Sequence, residues 1–161
     1  MTLDSRNTIW GFATRVEKNL DFLITARATN GVDVHIVTHL ITSLLGLIVF
    51  PYEELQRINP DAFTSYSLES LAADGWPSWA FFLGNSDTLD DLLRHVRNAI
   101  SHGRLRYSSE SRELHDVQIE FRDRRNKDSP DNWGASIRGD HLHAFVKKLA
   151  DLLRTVQQTS S

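Results

Sequence analysis

A chain of 161 residues, 40% of them apolar and 24% charged, has enough apolar material for one packed core and too little compositional bias for a disordered or fibrous protein. The lack of any cysteine excludes a disulfide scaffold, thiolate zinc sites and a cysteine nucleophile. A formal net charge of −3 excludes coating of nucleic acid by bulk electrostatics, while leaving room for a locally basic cleft.

The opening Met1-Thr2-Leu3-Asp4-Ser5-Arg6 carries an early acid and no apolar run behind it, so it does not read as a secretory leader and the chain is expected to be cytoplasmic. From Leu3 to Ala28, Ile9, Phe12, Ala13, Val16, Leu20, Leu23 and Ile24 recur at helical spacing, and Asn30-Gly31 follows as a stop signal. A second helix is expected from Asp33 as N-cap, with Ile36, Val37, Leu40, Ile41, Leu44, Leu45, Leu47 and Ile48 making a broad apolar surface until Pro51 breaks or kinks it. Its apolar stretch, Leu40 to Phe50, is well short of the roughly 20 residues that a membrane span needs, so it predicts a core helix.

Residues 59–84 lack a clean period and read as short helical turns with an aromatic loop, Trp76-Pro77-Ser78-Trp79-Ala80-Phe81-Phe82, whose simplest role is to cover the core. Ser86 or Asp87 is the expected cap of the next helix. That helix carries Leu89, Leu92, Leu93, Val96 and Ile100 along one stripe and stops at Gly103. The period then changes to two: Val117, Ile119 and Phe121 alternate with polar residues to mark a strand, Trp133 to Arg138 reads as its partner, and Asp123 to Asn132 has the composition of a long hairpin loop. An amphipathic helix from Asp140 through Leu142, Phe145, Val146, Leu149, Leu152 and Leu153 closes the chain. One domain is expected over residues 1–158, followed by a flexible tail at 159–161.

The side of the third long helix opposite its apolar stripe holds the polar groups: Arg94, His95, Arg97, Asn98, Ser101 and His102. Asn98 and His102 are nearly stacked at a separation of four, and Arg104 and Arg106 lie just beyond Gly103. One reading is structural, since cations near a helix C-terminus complement the helix dipole. The other is a basic, hydrogen-bonding face for an anionic ligand or a partner helix. His35 and His39 share a helix face at metal-compatible spacing without an evident third ligand, so no metal site is expected. His115, His141 and His143 read as surface or capping residues.

Arg97, Asn98 and His102 resemble the Arg-x(4–6)-His signature of the HEPN superfamily, in which Arg is followed by a polar residue and then His. The layout of two long helices, a motif-bearing helix and a closing helix is also similar to that superfamily. In particular it is similar to a plasmid-borne HEPN family with a β-hairpin before the last helix. The phrases that fit are Thr38 to Glu53, with its Leu-Leu-Gly-Leu-Ile-Val-Phe-Pro core, and Ile119-Glu120-Phe121-Arg122-Asp123. A second Arg/His pair, Arg138 and His143, sits where a strand hands over to a helix and need not converge.

The resemblance implies a mainly α fold, a HEPN-like bundle of four to five helices with an inserted antiparallel β-hairpin. It also implies a metal-independent endoribonuclease, toxin or defence related, that needs no cofactor and leaves a 2′,3′-cyclic phosphate and a 5′-hydroxyl. In that role His102 exchanges a proton, Arg97 neutralises charge building on the phosphate, and Asn98 orients the histidine or the phosphate. Arg94, Ser101, Arg104 and Arg106 are the candidate substrate-binding residues. The implied partners are an RNA substrate, a second copy of the chain paired through the motif helix, and an antitoxin or other regulator; no membrane is implied. The alternative is a non-catalytic HEPN-like helical dimer that uses the same face to hold a nucleotide or a protein partner.

Overall fold

The computed structural model describes residues 5–159; the expected start of the first helix at Leu3, the N-terminal Met1–Asp4 and the last two residues of the expected tail lie outside the described residues. The chain forms two compact units. The first takes the described residues up to Ala62 together with those from Phe145 onward, and the second is Phe63–Ala144.

In the first unit α1 (Ser5–Asn30) ends at Gly31, whose φ of +62° is costly for residues with a Cβ. Helix α2 (Ile36–Leu47) begins at His35, with no side-chain cap, rather than at Asp33; residues 31–35 remain coil, so Asp33 stands too early to reach the first helical N–H groups. Pro51 does not stop the run. The backbone widens into a π-helical turn, Ile48–Tyr52, in which Glu53 N–H reaches back to the Ile48 carbonyl, and α3 (Glu53–Ile58) continues from it. The wider turn absorbs a ring that would clash with the preceding turn of an α-helix.

The helical run from Ile36 to Ile58 therefore has 23 residues, enough by length and composition to cross a membrane. Here 44% of its apolar window is buried inside the protein, with Leu40, Leu44, Leu47 and Ile48 all almost fully enclosed, which is the role of a core helix. Phe12 of α1 meets Phe50 edge-on at 5.2 Å. The longer part of α6 (Gly139–Thr159) belongs to this unit, where Arg154 reaches Glu17 of α1 at 2.7 Å. The helix extends through Thr159, one residue into the expected tail.

The second unit contains α4 (Leu68–Ala73), β1 (Ala80–Leu83), α5 (Leu89–Ser101), β2 (Leu105–Tyr107), a short 3₁₀ turn, β3 (Gln118–Asp123) and β4 (Trp133–Arg138). The β3–β4 hairpin pairs in the order expected from its alternation, but it is the centre of a larger sheet, β1-β4-β3-β2, antiparallel throughout. Two edge strands were hidden in the sequence. The second half of the aromatic loop is β1, and Leu105–Tyr107, too short to show a period, is β2. Both exist because β4 and β3 offer unpaired edges. Trp79, just before β1, packs edge-on against Phe121 at 5.3 Å, in keeping with the core-covering role expected of the aromatic segment. Beyond β1, Gly84 has φ +65°, and a Cβ there would stand 2.9 Å from the Asn132 carbonyl oxygen, so only glycine closes that corner without displacement.

Candidate functional site

Helix α5 starts at Thr88, whose Oγ1 accepts the Asp91 N–H at 3.2 Å. Ser86, expected as a cap, is instead buried, donating to Asp91 Oδ2 at 2.7 Å and accepting the Trp133 indole N–H at 3.0 Å. Burial pushes the Asp91 carboxyl up, but hydrogen bonds from Ser86 and Arg94, with the electrostatic influence of the neighbouring His95 and Arg94, outweigh it and hold its pKa below the ordinary value.

The other end of α5 explains how the site is assembled. Gly103 adopts φ +64°, its N–H bonds the Ile100 carbonyl, and Arg104 N–H bonds the Ala99 carbonyl at 2.8 Å, the paired reversed bonds of a Schellman ending. This turn folds the chain back so that Arg104, whose carbonyl accepts the Arg122 N–H at 3.1 Å, lies beside the end of β3. The residue waiting there is Asp123.

Asp123 is buried, and four donors share its carboxylate. Oδ2 accepts from His95 Nδ1 at 2.8 Å and Asn98 Nδ2 at 3.1 Å; Oδ1 accepts from Arg124 N–H at 2.8 Å and Arg104 Nη1 at 3.3 Å. Arg94 Nη2 approaches His95 Nε2 at 3.1 Å, and because a guanidinium can only donate, Nε2 accepts and the ring proton on Nδ1 points at Asp123. The imidazole lies flat on the Trp133 indole, centroids 4.6 Å apart and planes 8° from parallel. His95 is thus not on the polar face where helical spacing puts it. The sheet covers one flank of α5 as well as its apolar stripe, and the buried arc widens to take in His95 and Ala99, while Ile100 at the other margin remains partly exposed.

Asn98, His102, Arg104 and Asp123, with Arg124, Arg125, Asn126 and Lys127 of the β3–β4 loop, line an open cleft of about 510 Å³. The His102 imidazole is exposed and holds no hydrogen bond or ion pair among the described residues. The expected site residues divide between two flanks of α5, because at about 100° per residue Arg97 and Asn98 point well apart. Asn98, His102 and, after the turn, Arg104 reach the cleft. Arg94, Arg97 and Ser101 lie on the other flank: Arg94 is paired with Asp91 at 2.5 Å, Arg97 is half-buried and engaged by neighbouring groups, and Ser101 is exposed. Arg106 sits on β2 in register with Glu120 and does not line the cleft.

Asp123 lies outside the Arg/His motif, but the sequence carries a signal for it. It continues the inward register of Val117, Ile119 and Phe121, and an acid at a core-facing strand position requires partners. The loop cations Arg124, Arg125 and Lys127 give no signal beyond turn composition in the sequence. Arg138, of the second Arg/His pair, is bound at 2.6 Å by Asp140. Among the described residues no group of three or more His, Asp or Glu side chains has the arrangement of a metal site.

No curated protein and no solved structure matches the chain. A family model does match, the one described as HEPN pEK499 p136, and it does so across residues 1–160. The match spans both compact units, and a mainly helical fold with a central hairpin is what the likeness of Thr38–Glu53 and Ile119–Asp123 leads one to expect. The chain belongs to the HEPN pEK499 p136 family.

Proposed function

We propose that the protein is a metal-independent endoribonuclease of HEPN type, acting on cytoplasmic RNA in a toxin or defence role. The observation that carries this reading is the cleft itself: an exposed His102, without a hydrogen bond or ion pair among the described residues, opens into a space whose charged walls include Arg104, Arg124, Arg125 and Lys127, while the one acid in the lining, Asp123, is already engaged by four donors. The net field presented to a ligand is positive, which suits a phosphodiester. His102 removes the proton of the 2′-hydroxyl, whose oxygen attacks the adjacent phosphorus. The bond to the leaving 5′-oxygen breaks, and that oxygen takes up a proton, giving a 2′,3′-cyclic phosphate and a 5′-hydroxyl.

One imidazole is poorly suited to serve as base and acid at the same instant, so a two-fold pair of chains joined along α5 supplies the second histidine and brings Arg97 to the phosphate. The direct test is incubation of purified protein with total RNA in excess EDTA. Cleavage with cyclic-phosphate ends is expected, together with growth arrest on expression that His102→Ala relieves. Activity that EDTA abolishes and magnesium restores would refute the mechanism.

A further inference from the structure

The loop between β3 and β4 carries two cations that no other described residue pairs with. Arg124 is structural: its Nε lies 3.2 Å from Asp131 Oδ1 and its Nη1 reaches the Lys127 carbonyl at 3.4 Å. The side chains of Arg125 and Lys127, by contrast, are exposed and hold no hydrogen bond or ion pair among the described residues, yet both line the cleft that His102 enters. The loop that presents them is ordered locally. Asn126 Oδ1 accepts the N–H groups of Asp128 and Ser129 and the Ser129 hydroxyl, and Arg124 ties the loop's two ends together through Asp131. The loop backbone that carries the two cations is therefore braced before any ligand arrives, which lowers the ordering cost of binding.

Two features decide the ligand class. The cleft, at about 510 Å³, is far larger than one small anion requires and is in the range of sites that enclose a drug-sized molecule. Its cations stand on separate walls, Arg104 at the end of α5 beside His102 and Arg125 and Lys127 on the loop, so a ligand that meets both must carry anionic groups at two places. We infer that Arg125 and Lys127 form a second phosphate subsite, holding a backbone phosphate of an RNA strand next to the one presented to His102. This inference rests on the RNA reading of the cleft and adds to it the side from which the strand is gripped.

The test uses a short 2′-O-methyl RNA, which lacks the attacking hydroxyl and so reports binding alone, with fluorescence anisotropy followed across a series of salt concentrations. For Arg125→Ala/Lys127→Ala the expected result is a rise in Kd of about tenfold, and a slope of log K against log salt shallower by about 1.4, the release of counterions from two single-strand contacts. The charge-conserving Arg125→Lys/Lys127→Arg should keep the wild-type slope. A double alanine variant with unchanged Kd and slope would overturn the subsite while leaving the RNA reading intact. Equal loss in the charge-conserving variant would overturn it too, since the loop would then matter for shape and not for charge. Failure of the wild-type protein to bind the RNA, or equally tight binding of poly-glutamate of the same length, would remove the RNA reading and the subsite together.

Discussion

His95 Nδ1 and Asp123 Oδ2 meet at 2.8 Å, joining the middle of α5 to the last residue of β3 from positions 28 residues apart in sequence. The same carboxylate oxygen holds Asn98, one helical turn farther along, so the cleft face of α5 is set by a buried acid on the sheet. Whatever binds beside His102 does so against a wall that this contact keeps in place.

Removing the acid should therefore cost more than a typical polar substitution. Asp123→Ala strands the His95 N–H, the Asn98 amide and the Arg104 guanidinium, and breaking a buried ion pair from one side costs about 3–5 kcal/mol. We expect a loss of about 3 kcal/mol in urea unfolding, with a lower midpoint and little change in slope. Asp123→Asn, which keeps the shape and one acceptor, should lose less. An alanine variant within about 1 kcal/mol of wild type, the net worth of one ordinary hydrogen bond, would show that the carboxylate is not the hub that its four contacts describe.

The reaction should depend on the α5 pair and not on the second one. His102→Ala and Arg97→Ala are each expected to reduce the rate at least about 100-fold, the lower range for losing an acid–base or charge-stabilising group, and His102→Ala should leave stability nearly unchanged because the side chain is exposed. Arg138→Ala and His143→Ala should cleave RNA at close to the wild-type rate; Arg138 is already occupied by Asp140 and His141. Equal losses at both pairs would mean that the site has been misassigned.

Asp91 sets an acid limit on the second unit. Its pKa is below the ordinary 3.8 in the folded chain, so the stabilisation from ionised Asp91 is fully present above that value and is lost as the pH falls through the lower folded value. The stability advantage of wild type over Asp91→Asn should accordingly shrink below about pH 4. Calorimetry across that range measures it, and an advantage that grows on acidification would contradict the assigned ion pairing with Arg94.

If the active species is a two-fold dimer with one composite cleft, heterodimers of wild type and His102→Ala, prepared from differently tagged copies, should fall far below half of wild-type activity. Independent sites would leave about half, by counting intact subunits. A heterodimer at half activity, or a fully active monomer by sedimentation at assay concentration, would exclude the shared cleft.

Local pattern determined much of this protein. The 3.6-residue stripe of α5, its stop at Gly103, the alternation of β3, the apolar character of α2 and the Arg97–His102 spacing are written in neighbouring residues, because helix and strand periods and glycine's tolerance of positive φ act over a few positions. What only the tertiary structure decided depends on partners distant in the chain. Pro51 stays helical because the backbone widens there, β1 and β2 exist because β4 and β3 present open edges, and His95 turns from a surface residue into a buried one because the sheet covers a flank of α5 that no wheel can see. The division of Arg97 from His102 is local, set by about 100° of helix rotation per residue, but which flank lines a cleft is not. A helix displays its polar residues all around its free arc, and it was the position of Asp123 and the following loop that selected Asn98, His102 and Arg104 to form a cleft.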